Sequence, residues 1–97
     1  MRIVTYKAIQ EFTAKHADSE TALKEWYHKV KKQEWESFNE LKSTFGSADY
    51  VGNNRVVFNI KGNNYRLVCI VIYVSKKVYI RFIGTHSQYD KIDCKNI

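Results

Sequence analysis

RVVFNI (residues 55–60), KGNN (61–64), YRLVCIVIYV (65–74), SKK (75–77) and VYIRFI (78–83) form one continuous stretch, and its reading decides the fold. The first, third and fifth pieces are rich in β-branched and aromatic residues, which suit a pleated and partly buried surface. Lys61-Gly62-Asn63-Asn64 is a Gly/Asn-rich hairpin connection, and Ser75-Lys76-Lys77 is a second short turn. Three strands joined by two tight connections predict an antiparallel meander. From Leu67 onward the middle strand is apolar at successive positions, so both faces of the sheet are expected to be covered there.

Upstream of this stretch the hydrophobic period changes. Arg2 to Thr5 (RIVT) reads as a short opening strand, followed by a helix with Ala8, Ile9 and Phe12 on one face. Asp18 and Ser19 are cap residues for a second helix, whose apolar face is Leu23, Trp26, Tyr27 and Val30. Lys29, Lys31 and Lys32 crowd its last turn, where cations complement the helix dipole. Ser37 with Glu40 three residues later makes a capping box for a short third helix, which Gly46 stops. Downstream, His86 to Asp93 is a short polar tail with room for one helical turn. Together these elements predict an α+β domain spanning residues 1–97, with strand, two or three helices and a three-stranded meander, the helices on one face of the sheet. The other face is expected to form a shallow concave site.

Composition narrows the function. Hydrophobic residues make up 44% of the chain and aromatic residues 14%, which argues against disorder. The longest apolar run, Leu67 to Val74, suits a buried strand and falls well short of a membrane span, so no membrane partner is expected. The N-terminus does not read as a signal peptide, and Cys69 and Cys94 lack metal or redox spacing, so a reducing cytoplasm is the expected setting. The formal charge of +6 is unevenly placed. Residues 1–50 carry eight acids and eight bases, whereas residues 51–97 carry eight bases and two acids. Between Asp49 and Asp90 there is no acidic residue at all. Charge gathered in one structural half presents a surface to an anion, most often nucleic acid.

Within that basic half, Arg66 and Arg81 interrupt otherwise apolar strands. A guanidinium there must reach solvent or meet an anion, and the strands supply no carboxylate. If the 75–77 turn is tight, the two arginines lie nearly across from each other and frame a phosphate, with Lys61 beside them. His86 and Tyr89, three residues apart, share one side of the predicted turn. A histidine and a phenol flanked by cations are suitable groups for acid–base chemistry on a phosphodiester. With no acidic cluster to hold Mg²⁺, the expected reaction is metal-independent and uses no cofactor: the ribose 2′-hydroxyl attacks the adjacent phosphate. The aromatic and basic side chains of the third strand also suit a passive RNA-binding platform.

The segment VVFNIKGNNYRLVCIVIYVSKKVYIRFIGTHSQYDKID resembles the HigB group of type II toxin–antitoxin systems, within the RelE/ParE superfamily. The resemblance extends over essentially the whole chain. It is most specific in residues 55–93, with N-I-x-G-N-x-Y-R-L followed by I-R-x-I-x-T-H-x-x-Y-D. It implies a ribosome-dependent mRNA endonuclease, neutralised by a HigA-like helix-turn-helix antitoxin. By the same resemblance Arg66, Arg81 and Lys61 stabilise the scissile phosphate, and His86 or Tyr89 acts as base while the other assists the leaving oxygen. Gln88 stands where relatives commonly carry Glu. Arg55, Lys76, Lys77, Lys31 and Lys32 are the candidate contacts to mRNA and ribosomal RNA. ParE-type members keep the fold but inhibit DNA gyrase, so a non-catalytic inhibitor is the alternative.

Overall fold

A computed structural model describes residues 1–97. The elements in chain order are β1 (Arg2–Val4), α1 (Lys7–Lys15), a 3-10 turn (Ala17–Ser19), α2 (Glu20–Lys31), α3 (Phe38–Thr44), β2 (Asp49–Gly52), β3 (Arg55–Ile60), β4 (Tyr65–Ile72), β5 (Lys77–Thr85) and α4 (His86–Tyr89). The fold is α+β, with a single mixed sheet in the order β1-β5-β4-β3-β2. The meander β3-β4-β5 is its centre, and β1 lies parallel to β5 on one edge.

The sheet has one strand more than the sequence pattern implied. Asp49–Gly52 pairs antiparallel with β3, through a turn in which Asn53 and Asn54 both take positive φ (50° and 63°). Asparagine tolerates that left-handed region better than most residues, and two such residues in succession match the twist of a hairpin. Strand ends also shift. β4 stops at Ile72, and Lys76, at φ 57°, completes the turn into β5.

Alternation along the strands sorts the sheet into two faces. Val56, Phe58, Ile60, Leu67, Cys69, Val71 and Val78 point to the helices and are almost fully buried with Ile9, Leu23, Trp26, Val30, Trp35 and Leu41. Trp26 meets Phe58 edge-on at 5.4 Å, and Phe45 meets Phe58 at 5.2 Å. Ser37 caps α3 by accepting the Glu40 N–H, while the Glu40 carboxylate reaches the amide of Glu36 rather than that of Ser37. Asp18 does not cap α2. The Ser19 hydroxyl, fully buried, donates instead to the His16 carbonyl at 2.7 Å.

Val57 and Val68 lie on the opposite face and are buried too, at 4% and 0% exposure. That face is therefore not an open concavity. Residues 86–97 run across it: the Tyr89 ring lies by Arg66, the Asn53 amide donates to the Lys95 carbonyl, and Arg55 holds the Ile97 carbonyl through Nε and Nη2. Coverage on both sides explains why β4 is apolar at consecutive positions.

Candidate active site

The β3–β4 turn is the anchor of the site. Gly62 and Lys61 take positive φ (65° and 53°), which turns the chain back on itself. Arg66 Nη1 donates to the Asn63 carbonyl at 3.1 Å, and the His86 amide donates to the Asn64 carbonyl at 3.3 Å. One turn thus supports both a cation and a histidine. Arg66 sits opposite Gly84 in the β4–β5 register, two residues before His86.

The guanidinium carbon of Arg66 lies 5.9 Å from the Tyr89 ring centroid, a cation–π contact that restrains a long side chain. The Tyr89 hydroxyl donates to the Cys94 sulfur at 3.5 Å. Burial and then that hydrogen bond push the Tyr89 phenol up to about 12, against a smaller opposing influence of Arg66. A phenol so shifted keeps its proton at neutral pH.

Thr85 caps α4 with a complete capping box: its hydroxyl accepts from the Gln88 amide at 3.2 Å, and Gln88 Oε1 accepts from the Thr85 amide at 2.9 Å. Gln88 is therefore committed to holding the turn. The carboxylate near His86 comes from Asp90, whose Oδ2 lies 3.1 Å from His86 Nδ1. Both side chains are more than half exposed.

The other cations expected here are elsewhere. Arg81 is not paired with Arg66. A β-bulge shifts the register between Val68 and Cys69, so that Val68 faces Phe82 and Cys69 faces Ile80, leaving Arg81 as the extra residue. Arg81 instead lines a cleft of about 270 Å³ with Glu11, Phe12 and Lys15 of α1. Lys61 is ion-paired to Asp18 Oδ2 at 3.0 Å, and the Tyr65 hydroxyl donates to Asp18 Oδ1 at 2.6 Å. The Tyr65 bond first, and the Lys61 bond second, hold the Asp18 carboxyl below its ordinary value.

Several expected RNA contacts serve the fold. Lys76 donates to the Trp35 carbonyl at 2.8 Å and pairs with Glu36 at 3.0 Å, tying the β4–β5 turn to the α2–α3 loop. Arg55 is engaged by Ile97. Lys31 lies over the Tyr27 ring at 5.3 Å with its surroundings exposed. Lys32 lines the groove beside α2, and Lys77 is half-buried at the start of β5. Asp90, missed as a partner of His86, was legible as an i, i+4 neighbour of it.

A family model described as HigB toxin, the RelE-like toxic component of a toxin–antitoxin system, matches residues 19–92. The chain belongs to the HigB toxin family. The mRNA interferase toxin HigB of Escherichia coli K12 is 33% identical over 93 residues, spanning 93% of this chain and 88% of that protein. The mRNA interferase HigB of Shigella flexneri matches to the same extent. A second mRNA interferase HigB, from Escherichia coli O6:H1, is 26% identical over 94 residues, with 95% and 91% covered. The residues matched by the family model include Arg66, His86, Tyr89 and Asp90. No helix is long and apolar enough to cross a membrane.

Proposed function

We propose that this HigB-family chain is a toxin that cleaves mRNA on the ribosome, with Arg66 and His86 as its working groups. The observation that carries the reading is the meeting of Arg66 and the His86 amide on one turn, Asn63-Asn64, with the Tyr89 ring against Arg66, in a half of the chain with eight bases and two acids. Arg66, held by the Tyr89 ring and the Asn63 carbonyl, offers its remaining N–H groups to the phosphoryl oxygens. His86 takes the proton of the ribose 2′-hydroxyl, whose oxygen attacks the adjacent phosphorus. The bond to the 5′-oxygen breaks, that oxygen is protonated from water, and a 2′,3′-cyclic phosphate remains. Arg66 is closest in role to an oxyanion stabiliser, since negative charge grows on the phosphoryl oxygens in the transition state.

His86 is exposed and has no enclosed pocket around it, so the RNA must be aligned from outside. Orientation of the 2′-hydroxyl by the ribosome can supply roughly 7–11 kcal/mol of the barrier reduction. Arg81 and Lys15, at the cleft beside α1, are placed to hold backbone phosphates away from the scissile bond. Lys31, Lys32 and Lys77 are the cations we assign to ribosomal RNA, and Lys61 supports the site through Asp18. The toxin is expected to act in the cytoplasm, restrained by a HigA-like helix-turn-helix antitoxin.

Growth of cells carrying Arg66→Ala or His86→Ala tests this reading. Each is expected to relieve growth arrest while the purified variant keeps the far-UV spectrum and melting point of the parent. Growth arrest as severe as that of the parent in both would refute the assignment.

A further inference from the structure

His86 and Asp90 stand at the two ends of α4, one helical turn apart on the same side. The Asp90 amide donates to the His86 carbonyl at 3.1 Å, which fixes the aspartate under the ring, and His86 Nδ1 meets Asp90 Oδ2 at 3.1 Å. An ionised carboxylate only accepts hydrogen bonds, so at this ion-pair distance it favours a proton on the facing Nδ1. A neutral imidazole protonated there carries its lone pair on Nε2, at the far side of the ring. An unrestrained histidine favours the opposite tautomer and turns freely about χ2, which would leave the base mispointed and wrongly protonated. Half-exposed ion pairs of this kind add little to stability, so a purely structural role is a weak account of the contact.

We propose that Asp90 is a positioning residue that holds His86 in the Nδ1-protonated tautomer and so presents the Nε2 lone pair to the ribose 2′-hydroxyl. The proposal rests on the reading of this chain as an RNase with His86 as its base. Asp90 itself touches no reacting atom. Proton transfer balances without it: the 2′-hydroxyl proton passes to Nε2, giving an imidazolium whose charge the carboxylate stabilises, and solvent later removes it.

Protein labelled with ¹⁵N-histidine, with the His86 signals identified by their loss in His86→Gln, reports the tautomer directly once the ring is neutral. The parent is expected to show the Nδ1–H form, and Asp90→Ala and Asp90→Asn the Nε2–H form, since an Asn amide can donate to Nδ1. In single-turnover cleavage of message on programmed ribosomes, both variants are expected to slow about 10- to 100-fold, with ribosome affinity changed by less than about twofold. A parent that shows the Nε2–H form, or an Asp90→Asn variant that cuts at the parental rate, overturns the proposal. A parent that cuts no message overturns it together with the RNase reading, whereas failure of the variants to slow while the parent cuts counts against Asp90 alone.

Discussion

Gly84→Ala should destabilise the protein and loosen the site at the same time. Gly84 is buried opposite Arg66, and a Cβ built on it would lie 2.4 Å from Phe82 Cζ, 3.0 Å from Phe82 Cε2 and 2.8 Å from Gln88 Oε1. Carbon atoms in contact prefer about 3.5–4.0 Å, so the Phe82 ring would have to retreat by about 1 Å within a packed face. Overpacking of this kind costs about 1–3 kcal/mol. Gln88 has freedom to move, but only by releasing the Thr85 amide and with it half of the capping box, which is worth roughly 1 kcal/mol. A combined loss of about 2 kcal/mol corresponds to a fall in Tm of about 8–16 °C for a chain of this size. Thermal and urea unfolding followed by circular dichroism would measure it. A variant that melts within about 2 °C of the parent would refute the packing of Phe82 and Gln88 over Gly84.

Other perturbations separate roles within the site and the fold. Tyr89→Phe keeps the ring beside Arg66 and should cut within about threefold of the parent, whereas Tyr89→Ala should lose about 10-fold or more in single-turnover cleavage. Equal losses in both would show that the hydroxyl matters. Asp18→Asn should flatten the acid limb of stability: the native carboxyl is held low, so its contribution is present above the ordinary carboxylate range and lost as pH falls through the lowered native value. Urea midpoints taken from neutral pH down to about pH 2 would show this, and an unchanged acid limb would contradict it. Lys76→Ala removes the bonds to Trp35 and Glu36 and should cost about 1–2 kcal/mol in urea unfolding, while Lys77→Ala should leave stability unchanged and weaken ribosome binding.

The meander was legible because its strands are bounded by turn residues and built from β-branched side chains. The α2 face was legible for a similar local reason, since Leu23, Trp26 and Val30 repeat at helical spacing and are all buried. β2 escaped notice because four residues carry little periodicity, yet the dipeptide Asn53-Asn54 before RVVF was its signal. The Arg66–Arg81 pairing failed at a single residue. Strict alternation through VYIRFI puts Arg81 on a fixed side, but Val78, Ile80 and Ile83 turn to the core at spacings of two and then three. That extra step is the bulge. The Lys61–Asp18 and Arg55–Ile97 contacts join residues 43 and 42 apart, and nothing local encodes such partners. Lysine and arginine counts therefore gave the charge of the basic half correctly, but not which cations remain free to meet RNA.

The most direct test of the account is a map of mRNA 5′ ends after brief induction of the chain in bacteria, with His86→Ala induced alongside. New ends inside translated frames are expected in the parent and none in the variant. Growth arrest with messages left whole would contradict it.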